Sequence, residues 1–384
     1  MDERKKKRSF VRLIKKGNEM LKKYHNIALI PGDLNGVTVT EATLEVVEAL
    51  KKSLEKPIKH TRYDYNATYF NKHKITTLGE NELGELEKYD QIFLGAVGDP
   101  KKIKPGIVEA GILLKVRQYF DQYVNLRPVI LPEGVPTILK DKTYKDINFE
   151  ICRENSEGLY IGAGWIEKEG TEEEAGYQVM KCTYKGVKRL AEFAVKRAIA
   201  RKKAKKPKLH MVFKTNVLTY AAHPWNRVFE EFRTRKDIDV YYMHIDNFMM
   251  QMLIKPEQFD VVITENMFGD ISTDAGAVIQ GGIGSAVSGN INPEGIYPSM
   301  FEPIHGSSPD KWYNSKGQYD AALTQLVKPE AAFFSYAMML EQMGEGKAAK
   351  LLKEAALANI KDPNYQNMKL KELIAKACVF VKKN

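Results

Sequence analysis

Residues 259–274 read FDVVITENMFGDISTD. The run Val261–Thr264 is apolar and β-branched, the composition of a short strand. Behind it, Asp270 and Asp274 stand four residues apart, a spacing that on a helix stacks both carboxylates on one face. Two like charges so placed repel, and a hard divalent cation bound through oxygen is one reason to keep them together. Acidic pairs of this kind are also common on solvated helices, so the pattern alone leaves both readings open. Working outward, further strands are expected at Ile27–Ile30, Gln91–Ala96, Asn148–Cys152, Lys208–Phe213 and Val240–Ile245. Helical patterns between them indicate the α/β class with much parallel sheet.

The first strand runs into Pro31-Gly32-Asp33, and a helix is expected from about Val39 to Lys52, with Thr38 and Glu41 as its capping box. Pro, Gly and Asn crowd Gly281–Pro309, which reads as a long irregular and therefore functional stretch. Neither the G-x-G-x-x-G dinucleotide fingerprint nor a P-loop occurs, which disfavours a Rossmann dehydrogenase.

At 384 residues the chain exceeds the usual size of one core, so two lobes are expected. No stretch is long and apolar enough for a membrane span, and MDERKKKRSF does not read as a secretory signal. Residues 1–24 form a basic leader, in which Asp2, Glu3 and the scarcity of serine argue against a mitochondrial address. Cys152, Cys182 and Cys378 lack metal-ligand spacing and suit a reducing cytoplasm. The net charge of +10 gathers at Arg4–Arg8 and Lys196–Lys208. The second cluster ends a helix whose apolar residues, Val187, Leu190, Ala191, Ala194, Val195 and Ala198, recur at helical spacing. Both clusters read as solvated faces; no aromatics interleave with the lysines as nucleic-acid binding would want, and an anionic substrate fits the charge.

Arg117, Arg127 and Arg153 add chemistry, because guanidinium forks hold carboxylates bidentately and three of them suit a polyanionic acid. Lys214 closes the strand-like HMVFKTN, where an apolar setting would make it a general base. Tyr160, in EGLYIG, is a candidate acid. Each alone reads equally well as structural.

Together, IALIPGD, FLGAVGDP, LLKVRQYFDQYVNLRPV, RENSEGLYIG, KTNVLTY, HID, FDVVITENMFGDISTD and NINPEGIYPSMFEPIHGSSPD run in order from about residue 26 to 310. In this combination the chain resembles the β-decarboxylating dehydrogenases, which include the isocitrate, isopropylmalate and tartrate/D-malate enzymes. The resemblance implies an isopropylmalate dehydrogenase-like two-lobe fold, both lobes α/β, with the active site in the cleft between lobes. The larger, cofactor-binding lobe would be residues 25–123 plus 276–384, and the smaller, with the dimer interface, 124–275. It implies a homodimer with shared sites, an NAD-dependent oxidative decarboxylation of a 2-hydroxy acid, and Mg²⁺ or Mn²⁺, with K⁺ as an optional further ion. By position, Asp270 and Asp274 match the metal-binding carboxylates and Asp246 the one lent by the neighbouring subunit. Arg117, Arg127 and Arg153 match the substrate clamp, and Tyr160 and Lys214 the catalytic pair, Lys214 again from the partner chain. Glu302, His305, Gly306, Ser307 and Asp310 match the cofactor segment, where an Asp at 310 goes with NAD.

Within the family, isocitrate enzymes carry Ser and Asn where this chain has Gly111 and Leu113. Isopropylmalate enzymes offer an apolar pocket, for which Leu113 and Leu114 are suited, but place Glu seven residues before the first arginine, where Ala110 stands. The run around Arg117 and Arg127 looks most like the tartrate/D-malate branch, making D-malate or tartrate the expected acid and 3-isopropylmalate, or another 3-substituted malate, the alternative. The chain departs from the pattern at Asp33-Leu34-Asn35-Gly36-Val37-Thr38, where Leu34 replaces a glycine and a changed loop shape is expected. It departs again at Trp165, in a loop often glycine in relatives, and over residues 311–333. These departures keep a non-catalytic binding protein on the same fold as a further alternative.

Overall fold

The computed structural model describes residues 22–384 except 205, 283 and 285. Most of the expected leader, Arg4–Arg8 included, lies outside the described residues. The chain divides into two compact units, one reaching to Gln122 and resuming at Gly282–Asn384, the other Tyr123–Gly281.

The first unit opens with β1 (His25–Ile30), α1 (Asn35–Ala49), β2 (Ile58–Arg62), α2 (Ala67–His73) and β3 (Gln91–Leu94). A π-wound turn, Glu109–Leu114, then leads into the short α3 (Lys115–Tyr119). Helix α1 starts earlier than Thr38 would dictate, because Gly36 N–H donates to the Asp33 carbonyl (2.8 Å) and Val37 N–H to that of Leu34 (3.1 Å). The chain thus turns into the helix directly after Asp33, leaving Thr38 inside it.

The second unit runs β4 (Val124–Ile130), β5 (Asn148–Glu154), the hairpin β6 (Gly164–Glu167) and β7 (Ala175–Gln178), then α4 (Tyr184–Arg201) and β8 (Lys208–Phe213). It continues through α5 (Thr219–Phe232), β9 (Asp239–His244), α6 (Ile245–Ile254), β10 (Val261–Thr264) and α7 (Asn266–Ile279). Its strand order is β4-β5-β10-β8-β9, with β4 antiparallel and the rest parallel. The carboxyl ends of four parallel strands therefore share one edge, the edge at which α/β sheets present ligand-binding side chains. Val129, Phe149, Ile151, Val212, Phe248 and Val262 pack into this unit's core.

Back in the first unit, β11 (Val287–Ile291) and β12 (Ser299–Pro303) precede α8 (Glu330–Gln342), α9 (Gly346–Ile360) and α10 (Leu370–Lys383). The order is β2-β1-β3-β12-β11, with β11 antiparallel to β12. Alternation along β1 explains the layering: Ile27 and Leu29 enter one cluster with Tyr336, Leu340 and Leu352, while Ala28 and Ile30 enter another with Phe70, Ile112 and Phe120. Both faces are covered, as a mostly parallel arrangement requires.

Two expectations are corrected here. Gly281–Pro309 is not irregular throughout, since β11 and β12 lie inside it. Their Ser, Gly and Asn read as loop residues, but Ser288 and Asn290 are buried and bonded to Glu302 (3.1 and 3.0 Å), which makes a polar strand tenable in a core. The basic stretch Lys196–Lys208, which begins in the last turns of α4, is not wholly a solvated face either. Arg197 reaches the buried Glu150 (2.6 Å) and Arg201 the buried Asp260 (2.8 Å), pinning the helix to strand ends.

Candidate active site

Arg153, the last residue but one of β5, is paired in register with Thr264 at the end of β10. The next residue, Glu265, caps α7 by accepting from Phe268 N–H (2.6 Å) and Met267 N–H (3.1 Å), so the helix starts at once and brings Asp270 beside Arg153. Arg153 is 1% exposed; its Nε and Nη2 donate to Asn266 Oδ1 (3.0 and 2.7 Å) and its Nη1 pairs with Asp270 Oδ1. Gly269 makes room for this, because a Cβ there would stand 2.4 Å from Arg153 Cγ. Tyr160, on the turn Leu159–Ile161, donates its hydroxyl to Asp270 Oδ2 (2.9 Å). Burial first, then the Asp270 charge and hydrogen bond, pushes the Tyr160 hydroxyl above its ordinary pKa. Arg127, on β4, is oriented by Asn125 Oδ1 (2.8 Å) and Thr273 Oγ1 (3.3 Å). Burial raises the Asp274 carboxyl, with Arg127 pulling against it and Asp270 adding to it.

Five of the expected residues, Arg127, Arg153, Tyr160, Asp270 and Asp274, are thus linked around α7. Lys214 and Asp246 form a separate pair at 2.6 Å. They meet because β8 and β9 are parallel neighbours with Phe213 opposite His244, and each residue follows its strand's end. The expected apolar setting for Lys214 is corrected: its ammonium sits on a carboxylate, and that hydrogen bond holds Asp246 below its ordinary pKa. Among the described residues no three His, Cys, Asp or Glu side chains gather for one ion. The donor chemistry of Asp270 and Asp274 nevertheless fits a divalent cation, since oxygen ligands whose negative charges are mutually unfavourable gain most from one.

In the first unit, Arg117 is buried and donates through Nη2 to Glu302 Oε1 (3.0 Å), the same oxygen that takes Ser288 and Asn290. Glu302 thereby orients Arg117. His305 places Nδ1 3.2 Å from the Gly306 carbonyl, and burial lowers its pKa, so a neutral ring with Nε2 accepting is favoured. The Ser307 carbonyl accepts from Asn35 N–H (3.2 Å). Asp310 is exposed on the turn Pro309–Lys311. His305 Nε2 and Trp312 Nε1 are buried without partners among the described residues, and a cofactor bearing hydroxyl and amino groups fits such atoms.

The family model for isocitrate/isopropylmalate dehydrogenase matches residues 26–379. The chain belongs to that family. It is an NAD-dependent decarboxylating dehydrogenase. The 3-isopropylmalate dehydrogenase of Thermobifida fusca is 40% identical over 339 residues, covering 88% of this chain and 91% of the relative. That of Streptomyces avermitilis is 40% identical, with 87% and 92% covered. Among solved structures, the isocitrate dehydrogenase from Methylococcus capsulatus superposes with a TM-score of 0.79 at 28% identity, covering 93% of this chain and 99% of that one. The TT0538 protein from Thermus thermophilus also gives 0.79 at 28% identity, over 94% and 69%.

Within the dehydrogenase, the π-wound turn changes how residues ahead of Arg117 are counted. A π-turn takes one residue more than an α-turn. Glu109, eight residues before Arg117, therefore falls where position seven would stand in an unbroken α-helix. Its carboxylate accepts from Gly106 N–H (3.0 Å) and lies where a Cβ on Gly98 would meet it at 2.5 Å. Leu113 packs on the core, and both it and Leu114 are partly buried. The expected change of loop shape at Leu34 is also corrected: Leu34 takes φ 51°, ψ −118°, a conformation that favours glycine, and does so buried. Trp165 lies on β6, stacked on Tyr177 at 4.7 Å between ring centroids. Lys328 donates to the carbonyls of Tyr365 (2.7 Å) and Met368 (2.8 Å), tying the changed segment to the chain before α10.

Proposed function

We propose that this enzyme oxidises and decarboxylates a 3-alkyl-substituted malate, with 3-isopropylmalate its main substrate. The observation that carries this is the 40% identity to 3-isopropylmalate dehydrogenases over nine-tenths of their length. The partly buried Leu114 supports it, and the π-turn, which sets Glu109 one residue closer to Arg117 in helical register, weighs against the objection from Ala110. D-malate and tartrate, the acids favoured by the local motifs, become the comparison substrates.

In this reading Arg127 and Arg153 hold the acid's carboxylates, pre-oriented by Asn125, Thr273 and Asn266, and Arg117 is a third arginine for the same acid. Asp270 and Asp274 hold a divalent cation, with Asp246 lent by a second subunit. When bound, the nicotinamide supplies the hydride acceptor, and the cation the positive charge that favours an alkoxide and then an enolate. Tyr160, kept protonated, delivers a proton to the carbon that loses CO₂. Lys214, lent by a second subunit like Asp246, takes the hydroxyl proton as the neutral amine, once its ion pair with Asp246 has opened and its ammonium has given its own proton to solvent. His305, Gly306, Ser307 and Asp310 serve NAD, while Glu302, expected beside them, orients the substrate arginine Arg117.

A homodimer is part of the proposal. Met250 and Ile254 on α6, Ile271 on α7 and Trp165 on β6 are each more than half exposed, an apolar display that a second copy would cover. The three unpaired cysteines suit a cytoplasmic setting, and no described helix is long and apolar enough to cross a membrane.

The test is NADH formation with Mn²⁺ and K⁺ across 3-isopropylmalate, D-malate, tartrate and isocitrate, repeated with NADP and with chelator. The highest kcat/KM is expected for 3-isopropylmalate with NAD, abolished by chelation. A clear preference for D-malate would overturn the substrate, and silence with every acid would overturn the proposed reaction.

A further inference from the structure

Asn35 is the first residue of α1, follows the positive-φ Leu34, and is 5% exposed. Its backbone N–H donates to the Ser307 carbonyl (3.2 Å), so the start of α1 and the His305–Ser308 segment are in direct contact. Its side-chain oxygen, Oδ1, is buried and accepts no hydrogen bond from any described residue. Leaving a buried amide oxygen unpaired is costly, and replacing the residue by an apolar one would remove that cost. Holding a leucine in a glycine conformation next door is a second cost. Both fall on one turn, the one touching the segment that also carries the unpaired His305 Nε2. Ser308 adds a left-handed φ of 47° to the same segment.

The ring of His305 narrows what chemistry is wanted. With Nδ1 beside the Gly306 carbonyl and protonation opposed by burial, its Nε2 is an acceptor, as is Asn35 Oδ1. Trp312 Nε1, also unpaired, is a donor seven residues further on. Two buried acceptors and one donor call for a neutral, donor-rich group. A phosphate, which accepts only, satisfies neither acceptor.

We propose that Asn35 is a recognition residue for the adenosine half of the dinucleotide, its Oδ1 accepting from a ribose hydroxyl or from the adenine amino group. The inference rests on the assignment of NAD as cofactor and goes beyond it by adding a side chain from the opening turn of α1. On this account the strain at Leu34 is what holds Asn35 in place before the cofactor arrives.

The experiment is calorimetric titration of the full-length protein with NADH, ADP-ribose and nicotinamide mononucleotide, for wild type, Asn35→Ala and Asn35→Leu. Both variants are expected to bind NADH and ADP-ribose about tenfold more weakly and the mononucleotide as well as wild type does. Their Tm without ligand is expected to be unchanged or higher, because the free protein loses no hydrogen bond. Titration with the hypoxanthine analogue of NAD assigns the donor: a wild-type advantage that persists points to the ribose, one that vanishes to the adenine amino group. Variants that bind ADP-ribose as tightly as wild type would overturn the inference while leaving the NAD assignment intact. So would a lowered Tm with all three ligands weakened alike, which marks a structural role. Failure of the wild type to bind either NADH or ADP-ribose would overturn both.

Discussion

Tyr160 donates its hydroxyl to Asp270 across 2.9 Å, so the proposed proton donor and a proposed cation ligand are hydrogen-bonded to each other. Asp270 gives its other oxygen to Arg153, a proposed substrate arginine. One carboxylate therefore orients two groups and bears the charge that a cation would neutralise. Changes at any member should be felt by the rest, in ways that separate their roles.

Asp270→Asn keeps the side chain's size and leaves Tyr160 and Arg153 in place, but removes the charge. Activity should fall on the order of 10²- to 10³-fold, with Mn²⁺ affinity weakened in parallel. Steady-state kinetics and a Mn²⁺ titration check this. Full activity in the variant would remove Asp270 from the proposed cation site.

Tyr160→Phe removes only the hydroxyl. The expected result is a loss of about 10²-fold in kcat with KM nearly unchanged. The sign of the pH effect follows from the raised pKa: the folded state favours the protonated phenol. That contribution is whole below the ordinary tyrosine pKa of about 10 and lost as pH rises through the higher folded value. No loss of rate from Tyr160 ionisation is therefore expected below about pH 10, and a wild-type rate profile that loses a tyrosine-dependent limb near neutrality contradicts it.

Gly269→Ala tests the packing under Arg153. The new methyl would stand 2.4 Å from Arg153 Cγ and 2.7 Å from its Cβ, and the guanidinium must move. A loss on the order of 10²-fold in kcat/KM is expected, since displacements of about 1 Å at a positioned group have effects of that size. Comparable kinetics in wild type and variant would show that Arg153 is not held by this contact.

His210 supplies the acid limb of stability. It lies 5% exposed between Tyr241, stacked at 5.0 Å, and Phe259, edge-on at 4.8 Å, and its Nδ1 has no described partner. Burial lowers its pKa from 6.5 to about 4. The folded chain takes up this proton later than the unfolded one, so the stability it carries is present above 6.5 and lost as pH falls through about 4. His210→Phe should raise Tm, by about 1 kcal/mol of stability at neutral pH, with the gap widening towards acid. Melting curves across that range decide it, and a gap independent of pH would assign the acid sensitivity elsewhere.

The residues gathered around α7 were legible because their signals are local. Asp270 and Asp274 are one turn apart, and Arg153, Tyr160 and Lys214 each stand at a strand end or the turn just after, where short motifs mark them. Less was legible where a segment's conformation depends on what it touches. Ser288 and Asn290 look like loop residues, and only Glu302 and Arg117, brought from distant positions, make them strand residues in a core. Asn35 carried no recognisable signal beyond standing in a departure from the family pattern.

Sequence alone determined the α/β class, the strands β1, β3, β5, β8, β9 and β10, and the charged residues proposed for an acid and a cation. These follow from hydrophobic periodicity and side-chain chemistry, which act over a few residues. Only the tertiary structure decided that Lys214 rests on Asp246, that Glu109–Leu114 winds as a π-turn ahead of Arg117, and that Leu34 bears a glycine's conformation. Those outcomes depend on strand register, helix winding and close packing, and each is set by contacts between residues far apart in the chain.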